Sequence, residues 1–182
     1  KGVVDPTATT SFKSIASMES LFGQDLNGDG VQGVSVTSLK EIITDTVGDQ
    51  LVTDPDGGLY INSAGQSPLL VGDGLGGALN VNFSYDTPDG KLTSQAFAVE
   101  KQVDDGTYRL AVKVTETHDQ VDTVSWQIHT LDTSGVIDWT KAAFMTDVSS
   151  VERSFNQDLN ADGTIGVTAI SQSQNQTNQF IA

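Results

Sequence analysis

The chain has 182 residues, with 24 acidic against 9 basic side chains and a formal net charge of -15. Binding nucleic acid or an anionic membrane surface needs a basic face that displaces counterions, so both partners are excluded and cation binding becomes the first question. With no cysteine, a disulfide scaffold, a zinc–thiolate site and a thiol nucleophile are excluded too.

No apolar run approaches the roughly 20 residues a membrane-spanning helix needs, and no basic-then-apolar leader opens the chain, which reads as a soluble segment excised from something longer. Hydrophobic residues make up 37% and charged residues 18%, with the balance in Gly, Ser, Thr, Asn and Gln. That mixture predicts strands and turns.

In chain order, Ile15, Met18, Leu21 and Phe22 fall at helical spacing behind Ser14 as N-cap, so a short helix is expected to run into a polar loop beginning at Asp25. Asp54–Gly58 and Gly72–Gly77 interrupt the first part of a strand-rich region. Residues 78–85 and 92–99 predict a hairpin across Asp86-Thr-Pro-Asp-Gly90. In residues 107–115, Tyr108, Leu110, Val112 and Val114 alternate with Arg109 and Lys113, the pattern of a half-buried strand. Residues 121–131 place Val124, Trp126 and Ile128 together, and turns are expected at Asp104–Gly106, His118–Gln120 and Asp132–Gly135. Val148, Val151 and Phe155, behind Asp147 as N-cap, predict a second short helix before a second polar loop. The predicted fold is α+β: an antiparallel meander or sandwich of about six to eight strands, flanked by two helix-to-loop motifs. The divisions are residues 1–36, residues 37–170, and a polar linker or tail at 171–182 rich in Gln, Asn, Ser and Thr.

The two loops are copies of each other. Residues 19–34 align with residues 152–167 at a constant offset of 133, with ten of sixteen positions identical, including Glu19/Glu152, Phe22/Phe155 and Leu26/Leu159. Asp25-Leu-Asn-Gly-Asp-Gly-Val31 and Asp158-Leu-Asn-Ala-Asp-Gly-Thr164 match the first half of an EF-hand loop. Alternate residues of such a loop turn their oxygens toward one centre, and the glycine at position 6 permits the turn that aims the next carbonyl there. Asp25, Asn27, Asp29 and the Val31 carbonyl are therefore candidate ligands, as are Asp158, Asn160, Asp162 and the Thr164 carbonyl. A hard cation wanting six to eight oxygens fits the arrangement, so two Ca2+ sites are expected.

Position 12, where an EF-hand carries a bidentate Glu, holds Val36 and Ala169, and no acidic residue follows Asp162. A closing ligand common to both copies must come from upstream or from the strands. Glu19 and Glu152 are the leading candidates, and surface helix acids are the alternative left open. Without the position-12 Glu, affinity is expected to be weak, about 10⁻⁴ to 10⁻³ M, as in extracellular modules. Metal-free polar turns compete with this account, since Asp, Asn and Gly favour turns by themselves. Preservation of Asp, Asn, Asp and Gly in two copies whose filler residues change favours the cation.

The pattern Glu-x-x-Phe-x-Gln-Asp-Leu-Asn-x-Asp-Gly-x-x-Gly resembles the tryptophan-rich repeat domain of large secreted bacterial and cyanobacterial proteins of the RTX or haemolysin-like, adhesin-like kind. Leu51-Val52 ahead of Gly58–Ile61, the strand Gly106–Lys113, and Val124-Ser-Trp126 followed by Leu131–Gly135 are similar to that family's order of strands and turns. The similarity runs from about Thr37 to Val167, with the first helix and loop resembling the tail of a preceding repeat. The resemblance implies a calcium-dependent, secreted, extracellular module of a multidomain chain and supplies no catalytic activity. This chain departs from the pattern at Val112, where a tryptophan is expected, leaving Trp126 and Trp139.

Among the remaining features, Tyr108 and Trp126 fall on apolar faces and are expected in the core, while Trp139, at a strand end, is the candidate for ligand contact. His118 and His129 are read as solvated turn residues, since no nucleophile or metalloprotease motif accompanies them. The expected function is a non-catalytic, calcium-binding structural or adhesive module, whose partners are neighbouring domains of the same chain and a polysaccharide or cell-surface glycan. A carbohydrate-binding module attached to a polysaccharide-active enzyme is the alternative.

Overall fold

Runs of β-branched and aromatic residues separated by Asp-, Gly- and Pro-containing turns build two antiparallel sheets in the computed structural model, which describes residues 15, 18, 19, 22–28, 30–34, 39–42 and 48–167. The first sheet has β1 (Lys40–Glu41), β2 (Gln50–Thr53), β3 (Leu59–Asn62) and β4 (Leu69–Leu70) in that order. The second has β5 (Phe83–Thr87), β6 (Gly90–Lys101), β7 (Tyr108–His118), β8 (Val121–Leu131) and β9 (Ile137–Met145), also in sequence order. Both are meanders, as expected, but the described residues form nine strands; β1 and β4 hold two residues each, too few to show a period.

The predicted hairpin closes with Thr87 opposite Gly90 across Pro88-Asp89, and the β7–β8 hairpin closes with His118 opposite Val121. Its two turn residues, Asp119 and Gln120, both have positive φ, the conformation that matches the twist of the strands they join.

Two apolar cores lie on opposite faces of the five-stranded sheet. On the inner face Tyr108, Leu110, Val112 and Val114 of β7 pack with Leu51, Leu59 and Ile61 of the other sheet and with Leu79 and Val81 of the connection. On the outer face Ala98 and Ala111 leave room between strands for Trp126 and Ile128, and this layer is covered by Val148, Val151, Phe155 and Leu159. Trp126 meets Phe97 edge to face at 5.0 Å, and the Lys113 ammonium stands 5.8 Å from the Trp126 ring centre. Tyr108 and Trp126 are thus core residues, as the alternation predicts.

The helical part of the expectation is corrected. Among the described residues no helix reaches seven residues, and the second motif enters its loop through a 3-10 turn over Glu152–Ser154. Val148, Val151 and Phe155 do face one way, yet Asp147 caps an Asx turn by accepting the Ser149 N–H at 3.0 Å, and Val151 opens the 3-10 turn without a side-chain cap. Asn156, at φ 49°, then turns the backbone out of the helical region. In the first motif, helical backbone is described at Met18, Glu19 and Phe22 only. Ser14, Leu21, Asp29, Val36, Ala169 and the tail 171–182 lie outside the described residues.

Candidate metal centre

Each loop is organised by one buried glutamate. Glu152 is fully buried, and its Oε1 accepts the N–H groups of Leu159 at 2.9 Å and Asn160 at 3.2 Å, while Oε2 accepts the Gly166 N–H at 2.9 Å. Glu19, equally buried, repeats the pattern: Oε1 takes Leu26 N–H at 2.9 Å and Asn27 N–H at 3.0 Å, and Oε2 takes Gly33 N–H at 2.8 Å. In EF-hand numbering these donors are positions 2, 3 and 9. A carboxylate with three backbone donors is a charge-assisted clamp, and it answers why a charge sits out of water here. Neither glutamate is a surface helix acid.

The backbone repeats as closely as the clamp. Positive φ occurs at Gly23 and Asn156, at Gly28 and Ala161, at Gly30 and Gly163, and at Gly33 and Gly166, four pairs each separated by the offset of 133. Gly30 and Gly163 both stand at φ 86°, with nothing within 4 Å of the place a Cβ would take, so the glycine is there for its torsion and not for space.

With the backbone N–H groups drawn inward, the loop's side-chain oxygens stand outward. In the second copy Asp158 is half-buried, and Asn160, Asp162 and Thr164 are exposed. The Asp162 N–H donates to both Asp158 Oδ1 (3.2 Å) and Asn160 Oδ1 (2.9 Å), and the Asn160 side-chain amide donates to Asp162 Oδ2 at 3.2 Å, so the three side chains converge. Asp158 Oδ2 closes the ring by accepting the Gly163 N–H at 2.8 Å. The first copy repeats the last of these bonds, Gly30 N–H to Asp25 Oδ2 at 2.8 Å, and adds one from Gly28 N–H to Asp25 Oδ1 at 2.6 Å.

The neighbourhood is acidic. The hydroxyl and N–H of Thr164 hold the Asp162 carboxyl below the ordinary range. Asp147 is likewise held down by Ser149, while the negative charge of Asp162 pushes it the other way, which places Asp147 within electrostatic reach of the loop. Ser149 Oγ accepts a second hydrogen bond from the Asn160 amide at 3.1 Å, tying the Asp147 turn to the loop.

This donor set fits a hard divalent cation in kind: two carboxylates, one amide oxygen and the Thr164 carbonyl are oxygens only. Among the described residues, however, no three Asp, Glu, His or Cys side chains form a cluster able to hold a metal by themselves, so a bound cation would draw on amide and carbonyl oxygens and on water. Asp29 lies outside the described residues, so the first centre is described only in part, through Asp25, Asn27 and Val31.

Five other aspartates serve turns. Asp54, Asp73, Asp105, Asp132 and Asp138 each accept an N–H from two residues ahead. Asp54, Asp73 and Asp132 also accept an N–H from four residues ahead, whereas both oxygens of Asp25 and of Asp158 accept from three to five residues ahead across the loop.

Trp139 stands on a bulge where residues 139–142 of β9 oppose His129 of β8. Its ring is 56% exposed, as expected, and its Nε1–H donates to the Asp73 carbonyl at 2.8 Å. His118 is an exposed strand end, but His129 is buried in β8, contrary to its reading as a solvated turn residue. Its strand is covered on both faces at that end, so alternation revealed only one of them. No family model, no curated protein and no solved structure matches this chain.

Proposed function

We propose that this chain is a non-catalytic structural module whose two loop motifs bind Ca2+ and thereby stabilise an extracellular, multidomain protein. The observation that carries the reading is the duplicated clamp: the same glutamate draws the same three N–H groups inward in both copies and leaves the loop oxygens facing water. A loop that were only a turn would have no use for a buried charge to fix its backbone. Asp158, Asn160, Asp162 and the Thr164 carbonyl would hold one ion, and Asp25, Asn27, Asp29 and the Val31 carbonyl the other. Glu19 and Glu152 support the loops through their backbone, with three of the roughly four lone-pair sites of each carboxylate taken by N–H groups and one left on Oε2. Bound calcium would supply positive charge to a chain carrying -15, coupling fold stability to calcium concentration.

The test is thermal melting of the intact chain across a calcium titration, beside Asp158→Ala and Asp25→Ala. A melting temperature indifferent to millimolar calcium in the parent chain would overturn the assignment.

A second reading, carbohydrate binding, rests on Trp139, whose ring is exposed and held in place beside an apolar depression of about 350 Å³ lined by Leu69, Leu70, Gly74 and Val136. Glycan-array binding that disappears in Trp139→Ala would support it.

A further inference from the structure

The two loop motifs share a clamp and a backbone, yet their apolar faces have opposite fates. Val148, Val151, Phe155 and Leu159 of the second motif cover the outer face of the five-stranded sheet, and Phe155 is 0% exposed. Their counterparts at the offset of 133 are Ile15, Met18, Phe22 and Leu26, all apolar. There Phe22 is 62% exposed, Ile15 43% and Leu26 40%, and the four residues line an open apolar groove of about 390 Å³. Four large apolar side chains on one face, rigidly backed by a buried clamp, are expected to be covered.

The second motif shows what covers such a face: an antiparallel sheet presenting Trp126 and Ile128 beside the small residues Ala98 and Ala111 of the two preceding strands. The sheet of this chain has its outer face filled by residues 148–159, so it has no room for residues 15–26. A second free copy of the chain is in the same position. We propose that Ile15, Met18, Phe22 and Leu26 form a docking surface for the outer face of another sheet of the β6–β9 kind, supplied by a copy of this module lying upstream in the same polypeptide. Each loop motif then caps the sheet that precedes it, and the modules of an array interlock without a free linker. The inference rests on apolar packing and stands independently of calcium.

Two experiments test it. In the first, residues 148–159 of the full chain are replaced by the sequence of residues 15–26, and Trp126 fluorescence reports whether the sheet is still capped. One cooperative transition with native-like, blue-shifted emission is expected; red-shifted emission with loss of the transition overturns the proposal. In the second, residues 14–146 are duplicated in tandem, so that an inner copy of residues 14–34 follows a complete sheet. Phe22→Asp in that inner copy is expected to remove about half of the folded signal, while in the unduplicated chain it leaves the melting midpoint unchanged. If the inner substitution has no effect, or if the upstream sheet fails to fold with the native inner motif, the proposal is overturned. Concentration-dependent dimerisation of the 182-residue chain that Phe22→Asp abolishes would identify a second copy as the occupant and overturn the tandem assignment.

Discussion

Glu152 and Gly166 lie 14 residues apart and are joined by a 2.9 Å hydrogen bond from the glycine N–H to a carboxylate oxygen that is out of contact with solvent. Through this bond, and those from Leu159 and Asn160 to the other oxygen, one side chain pins both ends of a loop whose outer rim is acidic. The loop is thereby shaped before any cation arrives. Pre-shaping lowers the ordering cost that binding would otherwise carry, which bears on a site lacking the strong closing ligand of an EF-hand.

Removing that clamp is expected to cost more than removing a surface acid. Glu152→Ala loses three charge-assisted bonds and leaves three inward-facing donors unpaired, and Leu159 beside them belongs to the outer core. A loss of about 3 kcal/mol or more is expected in urea unfolding. Glu152→Gln keeps the shape but sets an amide N–H₂ against one set of donors, for about 1–3 kcal/mol. Glu19→Ala makes the same local change in a motif whose Phe22 and Leu26 are exposed, so it is expected to leave the global transition within about 0.5 kcal/mol of the parent. Equal losses at the two glutamates would contradict this division.

Calcium at 10 mM, against the weak affinity of about 10⁻⁴ to 10⁻³ M proposed for the site, is expected to add roughly 1.4–2.7 kcal/mol to the folded state. For a chain of this size that corresponds to a rise of about 3–10 °C in melting temperature. The second loop is docked on the core, so Asp158→Ala is expected to remove most of the rise and Asp25→Ala little of it. Magnesium at the same concentration is expected to give a smaller shift, because it parts with its water reluctantly.

How far the sequence revealed these features depended on whether a periodic signal existed. Tyr108, Leu110, Val112 and Val114 alternate and were legible as a strand face, and the register of β7 with β8 follows from the short turn at Asp119-Gln120. Val148, Val151 and Phe155 satisfy helical spacing and so predict a helix, but the Asx turn at Asp147 and the left-handed Asn156 leave room for only a 3-10 turn. The repeat exposed Glu19 and Glu152 as important positions, but their task is set by N–H groups 7 to 14 residues away, and backbone donors leave no trace in residue type. The burial of His129 is not legible in the sequence, because Val124, Trp126 and Ile128 report the outer face of β8 and nothing in their alternation tells that the inner face at Leu131 is buried as well.

Comparing the copies also identifies a strained position. Ala161 has φ 61°, where an L side chain is disfavoured, and the first loop has Gly28 there at φ 76°. Ala161→Gly removes a left-handed strain of about 1–2 kcal/mol, offset in part by the greater freedom of glycine in the unfolded chain. A net gain of about 0.5–1 kcal/mol in urea unfolding is expected, with no change in fold. A loss of stability would mean that the Ala161 methyl group makes a compensating contact.

Burial of His129 should appear in the pH dependence of stability. Its ring is 2% exposed, Nδ1 has no hydrogen-bond partner among the described residues, and burial pushes its pKa below the ordinary value near 6.5. A histidine kept neutral in the fold binds its proton less readily folded than unfolded. As pH falls through about 6.5 the unfolded chain takes up a proton that the folded chain refuses, and stability declines by up to about 1.4 kcal/mol per pH unit until the folded-state value is passed. Above that window this residue contributes no slope. Depressed carboxylates such as Asp132, held down by Ser134 and Val136, act in a separate window, losing their contribution only as pH falls below about 4. Urea unfolding from pH 8 to pH 5 is expected to show the decline in the parent chain and its loss in His129→Leu. The same slope in both proteins would assign the proton to another group.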